Sequence, residues 1–166
     1  SATVHDVLTR IRVDVLTRER EIEASFSELL TRGADHLGIA RELAKVTGAS
    51  VVVENLVHQV VAYVGTSPFS NHIVDTWAVR SRHMHHDGDE RCLRHTVTMR
   101  GHQWGWIHLL SDGDTPFGEI DRFAVERAAG TVAAALLTDR TVRTRDGQRS
   151  TALITRLMLG DLTGAA

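Results

Sequence analysis

What the chain has little of sets the first bounds. Cys92 is the only cysteine in 166 residues. An internal disulfide framework is therefore excluded, and the usage fits a reducing compartment. No apolar run approaches the roughly 20 residues that a membrane-spanning helix needs, and no signal-peptide pattern is visible. A cytoplasmic location with no membrane partner is the expectation. Lys45 is the only lysine, and 19 basic residues stand against 21 acidic ones, for a formal net charge of −2. A free-standing nucleic-acid binder is normally clearly basic, so that class is disfavoured. Arg140, Arg143, Arg145 and Arg149 cluster, but Asp139 and Asp146 dilute them, and they read as a solvated segment. Catalytic signatures are also wanting. There is no Gly-x-Ser-x-Gly elbow, no phosphate-binding Gly-Lys loop and no His-Glu-x-x-His. Neither enzymatic activity nor a cofactor is expected.

What is present is enough apolar material, 42% of residues, for a real core in one main domain. Residues from about Thr3 to Arg32 read as a long helix. Val4, Leu8, Ile11, Val15, Ile22, Phe26 and Leu29 recur at spacings of three, four or seven, close to a heptad seam with Arg18 in its middle. A narrow stripe of this kind on a terminal helix predicts pairing with a second copy, against the plainer alternative that it packs on its own domain. Gly33 ends the helix, and Asp35 is placed to cap a second one running to Thr47, stopped by Gly48. Two valine-rich strands follow, Ser50–Glu54 and Gln59–Val64, joined by a turn near Asn55–His58.

Ser70 to Arg91 is the least regular part. Ser70 is a possible cap for a short helix carrying Ile73, Val74, Trp77 and Ala78, and a polar segment with Arg80, Arg82, His83, His85 and His86 follows. A polar loop between strand pairs is where a binding loop is expected. The best-marked hairpin is Val97–Leu110, VTMRGHQWGWIHLL, with its break expected at Gly101-His102. Trp104, Trp106, His108 and Leu110 alternate with Gly105, Ile107 and Leu109, so each set takes one face. Gly105 inside the strand signals a bulge or a close backbone approach. Ser111–Gly118 is a loop, and a small-sided helix runs from about Glu119 to Arg140. Helices flanking grouped strands predict an α+β fold, an antiparallel sheet with helices on its faces.

Three side-chain groupings are candidates for chemistry. His83 and His85 share a face if extended, and Cys92 or His95 is placed to add a third ligand for Zn²⁺ or a similar ion. The alternative is a solvated polar loop. Trp77, Trp104 and Trp106 form either an aromatic wall for a planar ligand or ordinary core. Arg80 and Arg82 are candidates to pair with a carboxylate or phosphate, or simply surface charge.

The segments SVVVENLVHQVVAY, RGHQWGWIHLL and FGEIDRFAVERAAGTVAAALL, in this order, resemble a GAF domain over roughly residues 35–140. With RSTALITRLMLGDL after the Ala-rich helix, the chain is more narrowly similar to the amino-terminal sensor region of PucR-type transcription regulators. That resemblance implies a six-stranded antiparallel sheet, small-molecule sensing on one face and helices on the other that pair subunits. It also implies contact with DNA only through a carboxy-terminal helix-turn-helix part, with the present chain a piece of a longer protein. No ligand or binding residue transfers with it. The Asn-Lys-x-Phe-Asp-Glu signature of cyclic-nucleotide GAF domains is not found, and Leu93 after Cys92 departs from the Cys-His pair of bilin attachment.

The expected organisation is therefore a dimerisation helix over 1–34, a GAF-like sensor domain over 35–140, and a linker with the start of a further helix over 141–166. The expected function is a ligand-modulated, homodimeric sensor domain of a transcription regulator, binding an unknown small molecule with Trp77, Arg80, Arg82, His83, His85, Trp104 and Trp106. Two alternatives stand beside it. One is a ligand-free GAF-like dimerisation spacer, and the other a metal-binding domain built on His83, His85 and Cys92.

Overall fold

The structure, a computed structural model, describes residues 3–66, 71–83, 91–111 and 113–139, the side chains of 71–73 and 83 excepted. The expected features at Ser70, His85, His86 and over 141–166 lie outside these residues. The chain divides into two compact units, Ser1–Ala135 and Leu136–Ala166. Of the second, only 136–139 are described, and they are helical. Among the described residues no helix is long and apolar enough to cross a membrane.

The fold is α+β. Helix α1 (Val4–Thr31) opens with a capping box, in which Thr3 and Asp6 satisfy each other's backbone and side-chain groups. Helix α2 (His36–Thr47) is capped by Asp35 and ends at Gly48 in the left-handed conformation. Strands β1 (Ser50–Asn55) and β2 (Val60–Val64) form the first hairpin. Helix α3 (Asn71–His83) precedes the second hairpin, β3 (Cys92–Met99) and β4 (His102–Leu110). Its two-residue turn is Arg100-Gly101, at φ 50° and 78°. Positive φ at both central residues is the type I′ geometry that matches strand twist, so the turn lies one residue before the expected break. Helix α4 spans 119–139.

The sheet order is β2-β1-β4-β3, antiparallel throughout. Among the described residues it has four strands, where the family resemblance implies six. The register sorts the side chains into two faces. Val51 and Val53 of β1 lie opposite Leu109 and Ile107 of β4, and opposite Val64 and Ala62 of β2. This face is apolar, and all of these but the half-buried Val64 are buried. Helix α2 packs across β1 and β2 and presents Ile39, Ala40, Leu43 and Ala44, with α1 against α2. Val51, Val53, Ile107 and Leu109 contribute roughly 1.5–3 kcal/mol each by removal from water. The buried stripe of α4, Ala124, Val125, Ala128, Ala129, Val132 and Ala133, is short-sided, and small side chains let a helix approach its neighbour closely. A groove of about 390 Å³ between α1 and α4 is floored by Phe26, with Glu23 and Arg127 facing across it at 3.9 Å.

Helix α1 divides into two parts. Ile22 and Phe26 are buried in the domain, whereas Val4, Leu8 and Ile11 are more than half exposed. The seam read from the sequence is thus core at one end and uncovered at the other.

Candidate functional site

The second face of the sheet carries the chemistry. Two rows of paired residues cross it, Tyr63–Val52–His108–Arg94 and Val60–Glu54–Trp106–Thr96. Glu54 ends the apolar run Val51-Val52-Val53 on the face it shares with Val52, and it is 1% exposed. A carboxylate stripped of water costs several kcal/mol unless its lone pairs are filled. Here they are. Trp77 Nε1 donates to Oε2 at 2.6 Å, His108 Nε2 to Oε1 at 2.7 Å, and Ser81 Oγ lies 3.0 Å from both oxygens. His58 Nδ1 stands 3.4 Å from Oε2 and 2.7 Å from Ser81 Oγ. The Ser81 hydroxyl has one proton, so if it donates to Glu54, His58 Nδ1–H donates to the serine oxygen.

Four elements meet at this carboxylate. Strand β1 supplies Glu54 and β4 supplies His108. Helix α3 supplies Trp77 and Ser81, four residues apart and so on one face. The β1–β2 turn supplies His58. That turn is tightly built, with Asn55 Oδ1 accepting from the backbone N–H of Val57 and Gln59 while Asn55 N–H donates to Gln59 O. It holds His58 at φ 60°, a left-handed conformation uncommon for a non-glycine residue. On the neighbouring position of β4, Gly105 passes so close to β1 that a β-carbon there would sit 2.0 Å from the Glu54 carbonyl oxygen. The glycine in the strand thus marks a close approach, and a bulge at Val97/Thr98 lies beside it.

Burial by itself pushes the Glu54 carboxyl up and is the largest single influence. The hydrogen bonds from His108 and Trp77, the charge of His108 and the hydrogen bond from Ser81 together outweigh it, and the carboxyl titrates below its ordinary 4.5. Among the described residues, two buried polar atoms on this face find no hydrogen-bond partner, Tyr63 Oη and His108 Nδ1.

Beside the network lies an open groove of about 470 Å³, walled by Val57, His58, Gln59, Val60 and Val61 from the turn and β2, and by Val74, Trp77 and Ala78 from α3. His58 and Trp77 belong to both the groove and the network.

The residues singled out from the sequence fall in different places. Trp77 is fully buried, its ring edge-on to His108 at 4.9 Å. Trp106 is stacked on His58 at 5.3 Å with the planes 6° apart, and the Arg94 guanidinium lies over it at 5.8 Å. Trp104 is half-buried on the same strand. Arg80 and Arg82 are exposed and belong to α3, which runs longer than the sequence pattern indicates. His83 is the last residue of α3, and His85 is outside the described residues. Cys92 packs against the apolar cluster of Val52, Trp77 and Leu110. Among the described residues no group of three His, Cys, Asp or Glu side chains is arranged to hold a metal ion.

Glu54, His58 and Ser81 were not separable from sequence. Their side-chain hydrogen-bond partners lie 23 to 54 residues away, beyond any local pattern. The available signal was a carboxylate at an inward-facing position of an otherwise apolar strand. No protein-family model matches the chain, and none of the curated proteins searched matches it.

Proposed function

We propose that this chain is the small-molecule sensor domain of a transcription regulator, GAF-like and of the PucR type, acting as a ligand-modulated dimer. The observation that carries the reading is the shared wall. A molecule seated in the 470 Å³ groove touches Trp77, which donates to the carboxylate that ties α3 to the sheet, and His58, which bonds to Ser81 beside that carboxylate. A ligand there has a direct mechanical route to the position of α3. The volume falls within the range of small-molecule sites. To act as a signal, the ligand must bind two arrangements of α3 with different affinity. The uncovered stripe Val4, Leu8 and Ile11 supports pairing of α1 with a second copy, and DNA contact belongs to a part of the protein beyond this chain.

A thermal-shift screen against a broad metabolite library tests the reading. A specific metabolite that raises the melting temperature supports it by mass action on the folded state. Uniform silence across the library favours a dimerisation spacer instead.

A further inference from the structure

We propose that the groove between the β1–β2 turn and α3 selects a small, largely apolar carboxylate, gripped by the outward nitrogen of His58. This rests on reading the groove as the ligand site and adds the chemical class of the ligand. Among the described residues, five aliphatic side chains and the Trp77 ring line the groove, with Gln59 the only uncharged polar side chain and His58 the only ionisable one. An apolar body with a single polar end suits such a lining. A ligand ammonium group would find no acidic side chain among the lining residues. A phosphate ester needs more cationic donors than one imidazole, and Arg80 and Arg82 are not part of the wall.

The orientation of His58 decides the polar end. Its Nδ1 is turned inward to Ser81 Oγ at 2.7 Å and Glu54 Oε2 at 3.4 Å, so Nε2 is the nitrogen left for a ligand. The ring is fixed by its stack on Trp106 and by the Asn55-built turn. In its protonated form the ring donates Nδ1–H to Ser81 Oγ and Nε2–H to an arriving carboxylate, and it then stands between that anion and Glu54. The charged and titratable groups facing His58 are Glu54 from β1, His108 from β4 across the same carboxylate, and Arg94 from β3 beyond the Trp106 ring. Helix α3 brings the uncharged Ser81. Among the described lining residues a ligand carboxylate therefore meets no acid on the groove side of the imidazole.

The test uses the whole chain with nitrogen-labelled imidazoles, titrated with p-toluate, p-toluamide and p-methylbenzylamine. The inference expects p-toluate to move the His58 Nε2 resonance and to bind about tenfold tighter than the amide. It expects His58→Gln to level the two. Equal binding of toluate and toluamide, or tighter binding of the amine, overturns carboxylate selection and leaves the groove as the ligand site. If none of the three moves a groove resonance at millimolar concentration while the metabolite screen finds a ligand, selection alone falls. If both are blank, the sensor reading falls with it. The comparison among probes is made on the natural chain, so it stands even if the variant folds poorly.

Discussion

A β-carbon added at Gly105 would meet the Glu54 carbonyl oxygen at 2.0 Å and Asn55 Cα at 2.9 Å. Both are backbone atoms of the neighbouring strand and have no rotamer through which to yield. Gly105→Ala is expected to destabilise the fold by about 2–4 kcal/mol, read from urea unfolding. The alanine's gain in chain stiffness, under about 1 kcal/mol, does not offset this. Glu54 presents the complementary case. Glu54→Gln keeps the shape but places an amide N–H₂ among Trp77, Ser81 and His108 donors, so at least one donor is left facing another. The expected cost is about 3 kcal/mol. Trp77→Phe removes one donor while keeping an aromatic ring, with an expected cost of about 1–3 kcal/mol. Because the two residues share one bond, the double variant should cost less than the sum. Additive losses would show that the 2.6 Å contact contributes nothing. The same carboxylate sets an acid limit. Its folded-state pKa lies below the ordinary 4.5, so folding favours the ionised form. That stabilisation is complete above the unfolded value and is lost as pH falls through the folded one. Melting temperature measured from about pH 6 to about pH 3 should therefore drop more steeply below 4.5 in the natural chain than in Glu54→Gln.

At the scale of elements, the sheet was legible and the site was not. Alternation in RGHQWGWIHLL and the valine runs of SVVVE and QVVAYV mark β-structure because each face of the sheet is buried by one parity of residues. Caps at Asp35 and Gly48 mark α2 for equally local reasons. Helix α3 extends beyond its local sequence signal because Arg80 and Arg82 look like loop residues, whereas they are the solvent face of a helix whose inward face is Trp77 and Ser81. Alternation puts His108 on one face with the tryptophans, but nothing within ten residues of it announces Glu54. A buried polar network is assembled by tertiary contact, and its members are ordinary residue types in ordinary local patterns. Helix α1 yields a prediction of its own. Val4, Leu8 and Ile11 are exposed, so Leu8→Asp with Ile11→Asp should leave the domain's own packing intact. If α1 pairs with a second copy, the double variant should be monomeric by light scattering at concentrations where the natural chain is dimeric. A natural chain already monomeric at micromolar concentration would contradict that pairing.

At the scale of the whole molecule, the two faces of the sheet have different duties. The Val51, Val53, Ile107 and Leu109 face is apolar throughout and is the stable base of the domain. The Glu54 face is fastened by directional bonds, and α3 is held to it through Trp77 and Ser81 at one carboxylate. Beyond the apolar seat of the Trp77 ring against Val52 and Leu110, α3 is fixed by directional bonds to this carboxylate, and breaking them loosens the element without dissolving the opposite core, which is what a responsive element requires. The central claim is therefore that Glu54 holds α3. Amide hydrogen exchange on the natural chain and on Glu54→Gln measures it most directly. The account predicts that amides over 74–82 exchange at least about tenfold faster in the variant, beyond the rise set by its lower global stability, while those of β1 and β4 follow global stability alone. Equal relative protection of α3 and the strands in both proteins would contradict it.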